Sequence, residues 1–276
     1  MAAPIGADIF DDRPNRGISA ELASVFTYVS AAVAAVAVLY AFYLLIARKS
    51  PLLSFCILGS ILCNPIEPIW EALGFLRFHP GNDFAFTMFH IQGTPVSYPW
   101  WAMFVYVLFS GVACYTIYRM YESRPTRRTF WYCVAGQAVF NIVLEGFVIT
   151  AAYDYYGEHP WRWGSDFPLW WVFANFGEIL SAAILIVAVR YWGKRAMALA
   201  IIVVPSSFAA WELWAGWPVY VTLNMDVSMT VRNLSALLTA VIAIATLWAI
   251  ERIMLSRTVS ELRPANEDRT PVATAG

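Results

Sequence analysis

Charge is what this sequence has least of: 13% of its 276 residues are Asp, Glu, Lys or Arg, against roughly 25% in a soluble domain. Lysine is nearly missing, with Lys49 and Lys194 alone. A retinal protein needs a Schiff-base lysine deep in a helix, and both lysines fall in polar linkers, so that class is excluded despite the helix count argued below. Three histidines, His79, His90 and His159, are too few for a histidine-box di-iron enzyme. His79 and His90 also lack a helical ligand spacing, so no metal is expected. Without a glycine-rich phosphate loop, a nucleotide fingerprint or paired haem histidines, neither a cofactor nor a nucleic-acid partner is expected. The four cysteines, Cys56, Cys63, Cys114 and Cys133, lie in or beside apolar runs, where thiols are ordinary packing groups. They form no disulfide or metal pattern.

What is abundant is apolar: 60% of the residues are hydrophobic. A hydrocarbon core about 30 Å thick takes roughly 20 apolar residues per helix, so the chain has room for several crossings and no separate soluble domain. Apolar runs bounded by charge or turn residues predict spans near 22–47, 51–75, 97–118, 129–152, 167–190, 196–218 and 231–254. The expected fold is an all-α integral membrane protein, a seven-transmembrane-helix bundle over 22–254. A polar segment, 1–21, precedes it and a disordered cytoplasmic tail, 255–276, follows. The early charges Asp8, Asp11, Asp12, Arg13 and Arg16 argue against a cleaved signal peptide, which leaves the first span as the insertion signal.

Basic residues are grouped by side. Arg48 and Lys49; Arg119, Arg124, Arg127 and Arg128; Arg190, Lys194 and Arg195; and Arg252, Arg257, Arg263 and Arg269 make thirteen of the 18. The positive-inside rule then predicts an external N-terminus and a cytoplasmic C-terminus, a parity that seven spans satisfy and six or eight do not. A bacterial cytoplasmic membrane is the expected location. Trp100, Trp101, Trp131, Trp161, Trp163, Trp170 and Trp171 sit near predicted boundaries, where amphipathic rings anchor at the headgroups. Trp70, Trp211, Trp214 and Trp217 instead flank acids, where a π face could hold a cationic transition state.

Those acids are the informative feature. Glu67, Glu71, Glu145, Glu178 and Glu212 all fall inside predicted spans. Each would cost on the order of 2–3 kcal/mol or more if exposed to lipid. Asn64 shares a helix face with Glu67 and Glu71; Gln137 and Asn141 lead to Glu145 at steps of four; Asn175 precedes Glu178 by three. Glu67, Glu145 and Glu212 each follow a cytoplasmic boundary by about 16 residues, roughly 24 Å at 1.5 Å per residue. Glu178 is expected nearer mid-membrane, and Arg232 with Asn233 could reach the acid layer from the last span. One arginine cannot pair with five acids, so protonated and ionised carboxyls are expected together, a mixture suited to acid–base chemistry. The competing reading makes these groups interhelical hydrogen-bonding glue. The loops carrying His79, Asp83, His90 and Gln92, and Tyr153, Asp154, Tyr155, Tyr156, Glu158, His159 and Asp166, could roof the pocket. Glu251 is assigned to an interface.

Two stretches carry a family resemblance. Asn64-Pro65-Ile66-Glu67-Pro68 with the aromatic loop to Pro99-Trp100-Trp101, and Leu144-Glu145 with Ala152-Tyr153-Asp154-Tyr155, resemble the AveC-like spirocyclases, polytopic bacterial membrane proteins of polyketide pathways. The likeness extends over Gly157 to Phe167 and through Asn175, about half of the chain. It implies acid-catalysed spiroketal formation from a dihydroxyketone, with dehydratase activity in some members. Where the family pattern is aromatic and Asn-Gly-rich, this chain reads Phe84 to Gln92 and Gly93-Thr94-Pro95, which leaves the substrate open. Cys63-Asn64 and Trp70-Glu71 are loosely similar to membrane-integrated terpene cyclases.

The expectation is a membrane cyclase or dehydratase acting on a hydrophobic small molecule. Glu67, Glu145, Glu178 and Glu212 are its acid–base candidates. Asn64, Trp70, Glu71, Asn141, Tyr153, Asp154, Asn175, Trp211, Trp214, Arg232 and Asn233 are expected around the substrate. A proton-coupled transporter or small-molecule-binding membrane protein is the alternative from another class. No inverted repeat of the transporter kind is evident.

Overall fold

The computed structural model describes residues 17–91, 94–163 and 167–256. Most of the N-terminal segment, the tail beyond Ser256, and Gln92, Gly93 and Asp166 lie outside the described residues. The chain is mostly helical (71%). Six helices are long and apolar enough to cross a membrane: α1 Ala20–Ala47, α4 Trp100–Ser123, α5 Arg127–Val148, α6 Trp171–Trp192, α7 Lys194–Leu223 and α8 Met229–Met254. Ser19 starts α1 by accepting from the Leu22 amide at 3.2 Å. Thr126 does the same for α5 through Thr129 at 3.1 Å. Each satisfies an amide that a helix start leaves without a partner.

The second predicted span is not one helix. It divides into α2 Leu52–Ile61 and α3 Glu67–Leu73, because Pro65 and Pro68 cannot donate to preceding carbonyls and disfavour helix in the residues before them. The break falls on Asn64, Pro65 and Ile66, immediately before Glu67. Three further helices are irregular beside the acids. α4 passes through a π segment at Val107–Val112 and α5 ends in one at Leu144–Val148. α6 is interrupted between Ala174 and Gly177, so Glu178 sits in the first turn of its longer part. π segments and interruptions of this kind concentrate at functional cavities.

The loops after α3 and α5 hold strands that the apolar pattern did not announce. β1 Leu76–Phe78 pairs antiparallel with β4 Tyr153–Tyr155, matching Leu76 to Tyr155 and Phe78 to Tyr153. β2 Phe84–Ile91 and β3 Thr94–Pro99 form a bulged hairpin; β5 Arg162–Trp163 pairs with β6 Phe167–Pro168. The first of these pairs ties the chain after α3 to the chain after α5, above the carboxylates.

Close helix approach depends on small residues, as expected where lipid offers no hydrophobic drive for association. A Cβ on Gly59 of α2 would lie 2.5 Å from the Ala200 carbonyl of α7, and one on Gly177 of α6 would lie 2.8 Å from Phe208 Cα. Between them these contacts make α7 the centre of the bundle, against α2, α6 and α8. All four cysteines are free and buried.

Candidate functional site

Glu67, Glu71 and Glu145 line one cavity of about 460 Å³, its mouth included. Tyr98, Tyr106, Tyr153, Trp101 and Trp171 supply much of the remaining wall. Among the described residues no Lys, Arg or His lines it. Helices α3, α4 and α5 contribute the acids and phenols from the membrane side, and β1, β3 and β4 close the other side.

Each of the four glutamates expected to act in acid–base chemistry accepts a hydrogen bond from one hydroxyl. Tyr106 donates to Glu67, Tyr155 to Glu145 at 2.9 Å, Ser110 to Glu178 at 3.0 Å and Tyr220 to Glu212 at 2.8 Å. Tyr106 and Ser110 are four residues apart on α4, so one helix face serves two acids. Tyr220 is two turns beyond Glu212 on α7, and its ring lies along the helix over Gly216. A Cβ at Gly216 would meet Tyr220 Cε2 at 2.5 Å and its hydroxyl at 2.9 Å, so glycine there is what lets the phenol reach back to the acid.

The amides are paired differently from the sequence expectation. Asn141 does serve Glu145, at 2.6 Å. Asn175, expected beside Glu178, donates instead across the helix gap to Glu145 at 2.8 Å. Gln137, expected to lead to Glu145, donates to Glu178 at 3.2 Å. The α5 amide thus holds the α6 acid and the α6 amide holds the α5 acid. The break at Asn175 frees that side chain from the helix face it would share with Glu178. Glu145 ends with three donors. Asn64 points its amide at its own Ile61 carbonyl at 3.0 Å, and its side-chain oxygen is buried without a partner among the described residues.

Other expected site residues lie further out. Trp70 stacks on Tyr220 with ring centroids 6.3 Å apart. Trp211 is buried and donates to the Phe173 carbonyl at 3.0 Å. Trp214 is 55% exposed and bonds Thr246 of α8, so it faces away from the cavity. Arg232 is not the counter-charge of an intramembrane acid. It pairs with Glu158 at 2.7 Å in the loop after α5, and the neighbouring Asn233 is exposed. Its place near the start of α8 puts it within reach of the loop rather than the acids. Asp154 faces His79 at 3.5 Å, so it braces the roof. Tyr153 donates to the Glu145 backbone carbonyl at 3.2 Å. Burial, with Glu145 nearby, holds the Tyr153 and Tyr155 phenols well above their ordinary ionisation range.

No family model, curated protein or solved structure matches the chain.

Sequence reasoning missed Tyr106, Ser110 and Tyr220. Tyr106 and Ser110 read as ordinary members of an apolar run. Tyr220 could have been suspected from Glu212-x3-Gly216-x3-Tyr220, two steps of four along one helix face. Glu71, expected around the substrate, is a shared wall: a second cavity of about 730 Å³, under the β2–β3 hairpin, is also lined by Glu71, Leu76 and Phe78. Glu71 accepts no hydrogen bond from the described residues, so it is the least constrained acid of the site.

Proposed function

We propose that this protein is a membrane-embedded acid–base catalyst that cyclises or dehydrates a hydrophobic small molecule. The observation that carries this reading is a cavity lined by three carboxylates and several aromatic rings, with no basic side chain on its wall among the described residues. Such a wall stabilises positive charge as it develops, through carboxylates and π faces. An oxocarbenium ion or a carbocation fits it, and an oxyanion does not.

In the spiroketal case an acid protonates the hydroxyl of a hemiketal. Water leaves, and the oxocarbenium ion is captured by a second hydroxyl whose proton passes to a carboxylate. Glu145, fixed by Asn141, Asn175 and Tyr155, is suited to be the acceptor. Glu67, bonded to Tyr106, and Glu71, with no such bond, are suited to deliver the proton. Glu178 and Glu212 lie outside the cavity wall and support its charge balance from behind. The resemblance to AveC-like spirocyclases favours the cyclisation, and protonation of an alkene or epoxide in the manner of a terpene cyclase uses the same parts.

The topology that goes with this reading has seven crossings, with α2 and α3 counted together as one broken crossing, the C-terminus in the cytoplasm of a bacterial cell and the cavity toward the outer face. Its support is the path of the broken pair. α2 packs at Gly59 against Ala200 near the basic α6–α7 linker, while the end of α3 meets the opposite loops through Asn224 and the Leu73 carbonyl at 3.4 Å.

Mass analysis of lipid extracts from cells with and without the protein tests the enzyme. Glu67→Gln and Glu145→Gln should each abolish the product while membrane insertion is kept. Identical extracts in all cases would remove the proposal. One observation favours a second reading: broken helices around intramembrane carboxylates are also how secondary transporters build proton or cation sites. Proton-coupled uptake by liposomes, with no new product, would select it.

A further inference from the structure

The opposite end of the bundle carries a second kind of site. A cleft of about 1100 Å³, its open side included, lies between α4, α6 and the start of α7. Arg190, Lys194 and Arg195 line it beside Tyr118, with Ile186, Val189 and Met197 as apolar wall. Arg190 is twelve residues beyond Glu178 on α6, roughly 18 Å along the helix, so the cleft is separate from the acid cavity.

The local chain explains the concentration of charge. Gly193 adopts φ +74° and ψ −170°, a left-handed backbone that glycine alone takes without strain. The turn there is sharp enough that Lys194 and Arg195 return beside Arg190. Glu122 also borders the cleft, but it already accepts from Tyr118 at 3.0 Å and pairs with Arg119 at 3.1 Å. Lys194 and Arg195 have no ion-pair partner among the described residues. The result is a cationic recess with an apolar flank, set where helix ends meet the membrane surface.

We infer that this cleft binds the phosphate headgroup of an anionic phospholipid, with Arg190, Lys194 and Arg195 around the phosphate and the Ile186–Val189 wall against the glycerol and first acyl carbons. Basic recesses between helix ends take anionic headgroups for this reason. The acid cavity and its chemistry play no part in the inference. The bound lipid would clamp the α6–α7 turn to α4 and anchor the bundle at this face.

The test uses the purified full-length protein in mild detergent, with phosphatidylglycerol and phosphatidylcholine of matched chains, read by native mass spectrometry as bound lipid per protein. Phosphatidylglycerol should be retained preferentially, and the preference should shrink as salt is raised. Each surface cation is worth about fivefold in affinity, so K194Q/R195Q should lose about twenty-fivefold and K194R/R195K should lose little. Equal retention of the two lipids by the native protein would overturn the inference, as would an undiminished preference in K194Q/R195Q. Inorganic phosphate that binds the lipid-free protein as tightly as the lipid does would reassign the cleft to a free anion. If K194Q/R195Q does not fold, the lipid comparison and its salt dependence on the native protein decide alone.

Discussion

At the scale of single residues, the organising fact is that Glu67, Glu145, Glu178 and Glu212 each accept from a hydroxyl of their own. The sequence shows the acids plainly, because an ionisable group within an apolar run is conspicuous. It hides their partners, because Tyr106, Ser110 and Tyr220 are unremarkable in membrane helices and the pairing depends on which faces meet. Gly216 makes the point testable. Gly216→Ala should displace the Tyr220 ring and leave Glu212 buried without its donor, at a cost of about 1–3 kcal/mol. Its melting temperature in detergent should fall with that of Tyr220→Phe. Gly136→Ala is the control: nothing lies within 4 Å of a Cβ there, and stability should stay within about 0.5 kcal/mol. Equal melting of Gly216→Ala and the native protein would sink the arrangement. The roof tyrosines predict a pH effect. Tyr153 and Tyr155 ionise far less readily folded than unfolded, where the phenol titrates near about pH 10. Their contribution is complete below that pH and is lost as pH rises further, toward the folded value. Alkaline melting curves should therefore turn down above about pH 10, and less steeply in Tyr153→Phe.

At the scale of elements, the predicted spans agree with the observed helices to within a few residues except where the acids are. The second span divides into α2 and α3, and the fifth is interrupted at Asn175. Pro65 and Pro68 make the first irregularity legible in the sequence. Nothing comparable in the sequence marks the interruption at Asn175, whose side chain leaves α6 to serve α5. The crossed amides could not be read from spacing, since spacing speaks only within one helix. The β2–β3 hairpin was equally hidden, its residues reading as a long loop. Its cavity shares Glu71, Leu76 and Phe78 with the acid cavity, so substrate entering from this side passes Glu71. Val96→Cys places a thiol in the hairpin cavity, and the native cysteines, at most 5% exposed, should stay unlabelled. A bulky maleimide on that thiol should lower product formation severalfold, whereas a methyl-sized reagent should not. Full activity after complete labelling would exclude this route.

At the scale of the whole molecule, composition and the side preference of arginine were enough to say multi-pass membrane protein, and six long apolar helices agree. Parity rests on the pair α2 and α3, too short separately to be recognised as a crossing. Reporters attached after Ser256 and in the Gly157 turn should fall on opposite sides of the membrane, with the Gly157 turn outside. The N-terminal reporter should share the side of Gly157. An N-terminus on the same side as the C-terminus would mean that α2 and α3 turn back without crossing.

That no cation among the described residues lines the acid cavity has a consequence for traffic. On the proposed reading its carboxylates disfavour free carboxylic acids and phosphate esters that have passed Arg77 of the hairpin cavity, and leave neutral polyols, ethers and amines unopposed. A precursor still carrying an acidic tether, or activated as a phosphate, would have to shed that group first. The molecule that reaches these glutamates should already be neutral.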